Sequence, residues 1–216
     1  MKAVLIASGE PGPADRRWLE AGDLVVAVDA GAAWLSKLGV RPDAVVGDLD
    51  SVDPELVRTL EADGVEIERH PSQKDSSDTE LAMAYARRRG ADQIAVIGAF
   101  GGPRIDHEIA NLLLLADESA GDVTLVRGWT RVSAVRGMDP HTLNGAPGSL
   151  VSLFPVGGDA MGVTTHGLAY QLRDEPLRMG SSRGLSNVVV ETPAAVRLRS
   201  GTLLVVEQPP EGDETQ

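Results

Sequence analysis

Over the first 127 residues, short β-rich runs alternate with helical segments, and this order restricts the fold more than any other feature of the sequence. The candidate strands are Ala3–Ala7, Leu24–Val28, Ala44–Val46, Val65–Arg69, Gln93–Ile97 and Val123–Val126. Between them lie helical patterns at Ala14–Glu20, Ala32–Lys37, Pro54–Ala62, Ser77–Arg89 and His107–Glu118. Strands that take turns with helices predict an α/β fold: a mainly parallel sheet with helices on both faces, since parallel neighbours need a crossover. Asp53 before Pro54 suits a helix start, and Ser77-Asp78-Thr79-Glu80 has the form of a capping box.

From about Trp129 the texture changes. Arg131–Val135, Ser149–Phe154, Gly162–Thr165, Asn187–Glu191, Ala195–Leu198 and Thr202–Val206 are short β-rich runs separated by Gly, Pro, Asn and Asp, with no helix period. This pattern predicts an antiparallel sandwich or partial barrel. We therefore expect one domain over residues 1–128, a second over 129–208 and a frayed acidic tail over 209–216.

Charge narrows the partners. Lys+Arg 20 against Asp+Glu 32 gives a formal net charge of −12, which repels a nucleic-acid backbone. The densest basic run, Arg87–Arg89, reads as a solvated helix end where cations favour the dipole. No apolar run approaches the ~20 residues that a membrane span requires. The absence of cysteine removes disulfides, thiolate zinc sites and cysteine nucleophiles. With no export signal read at the N-terminus, a cytoplasmic location is expected.

In an open parallel sheet, ligands gather beyond the carboxyl ends of the strands. Those ends carry Asp29, then Gly47-Asp48-Leu49-Asp50-Ser51, then Lys74-Asp75-Ser76-Ser77-Asp78, then Gly98–His107. In an extended segment Asp48 and Asp50 would point the same way, and paired carboxylates call for a cation or a shared proton. Mg²⁺ is the natural candidate, because it takes hard oxygen ligands together with substrate phosphates. Clustered glycines at Gly98, Gly101 and Gly102 let backbone N–H groups approach phosphate, and Arg104 adds a planar fork. The chain has no G-x-x-x-x-G-K-[ST], no G-x-G-x-x-G in that loop and no G-x-S-x-G, so Walker NTPases, dinucleotide folds and elbow hydrolases are disfavoured. His107-Glu108-Ile109-Ala110-Asn111 ends in Asn, which excludes a zincin helix.

Taken in order, Gly47–Ser51, Lys74–Ala82, Gly98–Asn111 and Gly184-Leu185-Ser186-Asn187 resemble the motifs of the thiamine pyrophosphokinase family. Gly167–Leu172, with Tyr170, is similar to the family's aromatic-containing strand. The resemblance implies an α/β catalytic domain followed by a β-sandwich that binds thiamine and dimerises. It also implies Mg²⁺-dependent transfer of a pyrophosphoryl group from ATP to the thiamine hydroxyl, releasing AMP. Asp48, Asp50 and Asp78 would hold the metal, with Asp75 beside them and Arg104 and Asp106 facing the phosphates and the reacting hydroxyl. Asp29, Ser51, Lys74, Thr79, Gly101, Gly102, Tyr170, Ser186 and Asn187 would contact the substrates. The resemblance further implies a homodimer in which the Ser186-Asn187 segment of one subunit meets the catalytic rim of the other. Asp106 or Asp75 would be the general base. Ala30 and Ala33 stand where the family's early segment has Gly and Asn, and Pro103 separates Gly102 from Arg104. Two other readings stay open: a sugar-nucleotide transferase built on Asp48-Leu49-Asp50, and a non-catalytic nucleotide or thiamine sensor.

Overall fold

A computed structural model describes residues 1–20 and 23–210 of the chain. It divides into two compact units, the first made of Met1–Leu114 with Ser119–Gly128 and the second of Leu115–Glu118 with the residues from Trp129 onward.

The first unit holds β1 (Lys2–Ile6), β2 (Leu24–Val28), α1 (Gly31–Lys37), β3 (Ala44–Gly47), α2 (Pro54–Ala62), β4 (Glu66–Arg69), α3 (Asp78–Arg88), β5 (Gln93–Ile97), α4 (Ile105–Leu114) and β6 (Asp122–Arg127). Its strands run β4-β3-β2-β1-β5-β6 across the sheet, and every pair is parallel. β2 and β3 are buried along their whole length, as expected for strands covered on both faces, and they read as unbroken apolar runs. Val4, Ile6, Val25, Ala27, Leu35, Val45, Val57, Leu60 and Ile97 form the core of this unit, with Trp18 and Trp34 packed against it.

Several local expectations are corrected. The segment expected as a helix at Ala14–Glu20 is a 3-10 turn at Pro13–Trp18. α4 starts two residues earlier than the periodicity predicts and ends at Leu114. Ser77 caps α3 by accepting a hydrogen bond from Glu80 N, which is half of the expected capping box. The Arg87–Arg89 run is not merely solvated. Arg88 grips Glu68 through both carboxylate oxygens, Arg89 pairs with Glu66, and Arg87 donates to the carbonyls of Ala91 and Asp92. These pairs tie the end of α3 to β4, the edge strand, whose charged side chains also discourage edge-to-edge pairing.

The second unit is an antiparallel sandwich of β7 (Thr130–Val135), β8 (His141–Thr142), β9 (Leu150–His166), β10 (Glu175–Leu177), β11 (Asn187–Val188), β12 (Ala195–Arg197) and β13 (Ser200–Gln208). The runs expected as separate strands at Ser149–Phe154 and Gly162–Thr165 are one 17-residue strand. Gly157 and Gly158, which lie between those two runs, form a bulge within it. From Val156 to Met161 the strand advances five residues while β13 advances two, from Thr202 to Ser200. Such a bulge bends a strand. The first half of β9 pairs with β13 and β11, and its second half with β10 and β12. Val151, Leu153, Val163, Leu168, Leu177, Leu198, Leu203 and Val205 fill the space between. Residues 211–216, most of the tail expected to fray, lie outside the described residues. Among the described residues, no helix is long and apolar enough to cross a membrane.

Candidate active site

The strand order of the first unit reverses between β1 and β5, and the acids and glycines singled out above follow the carboxyl ends of its strands. Asp29 follows β2 in a left-handed conformation (φ 45°) and is only 8% exposed. Its Oδ1 accepts a hydrogen bond from Leu49 N at 3.1 Å. Gly47 makes room for it: at φ 151°, a β-carbon there would lie 1.9 Å from Asp29 Oδ1. Gly31 is equally constrained, since a β-carbon would meet Ile6 O at 1.9 Å. Ala30 adopts ordinary right-handed geometry, so its departure from the family pattern causes no strain.

Asp48 and Asp50 do not lie in an extended segment. Leu49 between them is left-handed (φ 64°) and buried, and this turn brings the two carboxyl groups within a shared hydrogen bond. Asp48 Oδ1 also accepts from Asp50 N at 3.1 Å. That backbone bond, helped by Ser72 and Lys74, lowers the Asp48 pKa, while the hydrogen bond to Asp48 and its charge raise that of Asp50. Burial, reinforced by the charges of Asp78 and Asp48, pushes Asp29 up to about 7.

Lys74 Nζ lies 2.7 Å from Asp78 Oδ1 and 3.9 Å from Asp48 Oδ2. Burial favours its neutral form, but Asp78, Asp48 and Asp29 outweigh this and raise its pKa. The structure thus brings together Asp29, Asp48, Asp50, Lys74 and Asp78. Thr79 is buried in the first turn of α3. Asp75 and Ser51 are exposed on the flanking turns, and no hydrogen bond or ion pair joins Asp75 to this cluster among the described residues.

The glycine-rich loop after β5 is held from both sides. Gly98, Gly101 and Gly102 have φ of 70°, 82° and 93°, a run that side chains would strain. Gly9 N donates to Gly98 O at 3.0 Å. From α4, Glu108 Oε1 accepts from Gly101 N at 2.8 Å, and the buried Asn111 amide donates to Ala99 O at 3.0 Å. The sequence reading missed both α4 residues. Their signal is helical spacing: positions 108 and 111 are three apart, and both reach back over the loop that starts the helix. Arg104 and Asp106, both exposed, form a two-bond pair of 2.9 and 2.5 Å. The Arg104 bonds pull the Asp106 pKa down to about 2.

The remaining predicted residues lie in the sandwich. Asn187 is buried; its Oδ1 accepts from Tyr170 N and Val188 N, and its Nδ2 donates to Tyr170 O. One amide N–H is left for other partners. Ser186 is left-handed (φ 56°) and exposed, with its N–H donating to Ser152 Oγ. The Tyr170 ring is 73% exposed. Tyr170 and Asn187 line a hollow of about 260 Å³ together with Leu153, Gln171, Arg183 and Leu185. A larger hollow of about 410 Å³, beside Trp129 and Glu207, contains none of the predicted residues.

Residues 16–126 match the model of the thiamin pyrophosphokinase catalytic domain, and residues 140–203 match that of the thiamin pyrophosphokinase vitamin B1 binding domain. The chain belongs to the thiamine pyrophosphokinase family. This is a family of enzymes. The chain is 25% identical to a thiamine pyrophosphokinase of Bacillus subtilis, over 95% of this chain and 98% of that one. It is 27% identical to thiamine pyrophosphokinase 1 of rice, over 78% of this chain and 66% of that longer protein. The fold agrees with the crystal structure of the Bacillus subtilis thiamine pyrophosphokinase (TM-score 0.86, 22% identity, 97% and 99% of the two chains). It also agrees with that of thiamin pyrophosphokinase from Candida albicans (TM-score 0.79, 18% identity, 96% and 88%).

Proposed function

We propose that the protein transfers the pyrophosphoryl group of ATP to the hydroxyl of thiamine, giving thiamine diphosphate and AMP. The observation that carries this reading is the cluster of Asp29, Asp48, Asp50 and Asp78 at the strand ends, in a chain of this family.

The donor set fits Mg²⁺. It offers only hard carboxylate oxygens, and the raised pKa of Asp50, caused by its hydrogen bond to Asp48 and the like charge there, marks a place where positive charge is lacking. Among the described residues no group of three or more acids or histidines forms a ready cage. Mg²⁺ does not need one, because it is commonly held by one or two carboxylates plus substrate phosphates. Asp48, Asp50 and Asp78 would hold it. When bound, it would neutralise polyphosphate charge and orient the phosphates for displacement.

The chain's own residues have distinct tasks in this reading. Lys74, between Asp48 and Asp78, pairs with both carboxylates and holds them in place. The Gly102 N–H is offered to phosphate oxygens, whereas that of Gly101 is held by Glu108 and shapes the turn. Arg104 takes up phosphate charge as it releases Asp106, and a released Asp106, or the exposed Asp75, accepts the thiamine hydroxyl proton. Asn187 fixes the Tyr170 backbone and, with Ser186 and Tyr170, shapes the thiamine side of the site. Catalysis of this kind depends on positioning and charge rather than on covalent help.

The protein works as a homodimer in this reading. Ile105, Ile109 and Leu113, spaced four apart on α4, are exposed and support a partnered face, as do exposed Tyr170 and Leu185. An active, strictly monomeric species in solution would refute a shared site. The decisive assay incubates purified protein with ATP, Mg²⁺ and thiamine and separates the products by chromatography. Thiamine diphosphate and AMP are expected. No product at micromolar enzyme would overturn the proposal in favour of a sensor, and ADP with thiamine monophosphate would replace it with a simple kinase.

A further inference from the structure

The crevice that strand order opens lies between β1 and β5, and there the two following loops touch. A β-carbon on Gly9 would sit 2.3 Å from Gly98 O and 2.7 Å from Phe100 O, so backbone lies directly on backbone. β6 is the next strand, and it ends at this edge in Arg127. The guanidinium reaches back over the glycine turn: a β-carbon on Gly101 would lie 3.6 Å from Arg127 Nη1.

The backbone that carries Arg127 is clamped. Gly128, left-handed at φ 56°, donates its N–H to Asp15 Oδ1 and accepts at its carbonyl from Trp18 Nε1 at 3.0 Å. Asp15 is 1% exposed, and its other oxygen accepts from Gly12 N at 2.7 Å, at the end of the loop that follows β1. One buried carboxylate thus fixes the β1 loop and the end of β6 against each other.

The Arg127 guanidinium has no carboxylate partner among the described residues. Among the described residues no ion pair or hydrogen bond engages it, whereas Arg104 is held by Asp106 and Arg88 by Glu68. A guanidinium stays charged at any relevant pH, and its planar fork matches phosphate oxygens. A permanent cation without a partner among the described residues lies over a glycine turn at the switch point of the sheet. The Gly101 N–H there is held by Glu108, the half-buried Gly102 adds its own backbone, and this place suits an oxyanion chain.

We propose that Arg127 binds the polyphosphate of the nucleotide, as a second arginine contact beside Gly101 and Gly102 and separate from Arg104. The proposal rests on the ATP-dependent reading above, and binding measurements separate the two. ATP and inorganic tripolyphosphate are titrated calorimetrically into the wild type, Arg127→Ala and Arg127→Gln. Arg58→Ala on α2 is the control for net charge, and melting curves verify folding. Charge-assisted hydrogen bonds of this kind predict that both Arg127 variants bind ATP and tripolyphosphate roughly 10- to 100-fold more weakly, with KM for thiamine unchanged and Arg58→Ala like the wild type. Unchanged tripolyphosphate affinity in the Arg127 variants, an equal loss in Arg58→Ala, or no tripolyphosphate binding by the wild type overturns the inference. Should the wild type form no thiamine diphosphate yet bind tripolyphosphate through Arg127, the proposed function falls and this inference stands.

Discussion

At the edge of the parallel sheet, four carboxyl groups gather around a single ammonium. Burial, reinforced by Asp78 and Asp48, raises the pKa of Asp29, and the hydrogen bond to Asp48 and its charge raise that of Asp50. In the sandwich, Asn187 has three hydrogen bonds to neighbouring backbone. Both places hold residues that motif reading assigns to substrates. Only the first is electrostatically incomplete without a cation. The second is a finished piece of structure with one spare N–H and an exposed ring. A polar residue in a motif can therefore serve a ligand directly, or serve it by shaping the backbone that does.

Substitutions test this contrast most sharply on the charged side. Asp50→Asn keeps the size of the side chain and removes one of two like charges. Turnover should fall at least roughly 100-fold, in line with the loss of a group that stabilises transferring phosphate charge. The melting temperature of the metal-free protein should hold or rise, because repulsion with Asp48 is relieved. Paired activity and melting measurements decide the matter. A large drop in melting temperature would make Asp50 a structural residue and erase the difference between the two regions.

The sandwich should respond in the opposite sense. Asn187→Ala strands the N–H groups of Tyr170 and Val188 and the carbonyl of Tyr170 without their partners. Leaving such part-buried groups unsatisfied costs on the order of 1–2 kcal/mol, read as a lower denaturation midpoint. The KM for thiamine should rise with it. A raised KM with an unchanged midpoint would instead make Asn187 a direct thiamine contact.

The same contrast explains what could be read from the sequence. The Ser77–Asp78 helix start was legible because cap chemistry is local, and Gly47, Asp48 and Asp50 were legible as a strand end, although the turn at Leu49 was read as extended. The strand-helix alternation located them on one rim, since parallel connections leave little choice. Where the outcome depended on distant partners, the reading failed. Gly157 and Gly158 lie between two β-rich runs, but pairing with β13 makes them a bulge within one long strand. The bonds between Asn187 and the Tyr170 backbone, 17 residues away, likewise have no local signal. Glu108 and Arg127 have no motif, because what matters is which loop they reach in three dimensions.

The smallest expected effect concerns the proton on Asp29. Its carboxyl is 8% exposed and faces Asp78 and Asp48, and its pKa is raised from 3.8 to about 7. The folded protein therefore binds a proton that the unfolded chain releases between about pH 4 and 7. In that window the folded state holds more protons than the unfolded state, so stability declines as pH rises toward 7. Asp29→Asn cannot release a proton and keeps an oxygen for Leu49 N, so its melting temperature should be flatter across the same window. The measurement is melting temperature against pH for both proteins, without divalent metal. Wild-type and variant curves of equal slope would mean that Asp29 stays ionised throughout, and that the carboxylate rim lacks the excess negative charge that sets it apart from the sandwich.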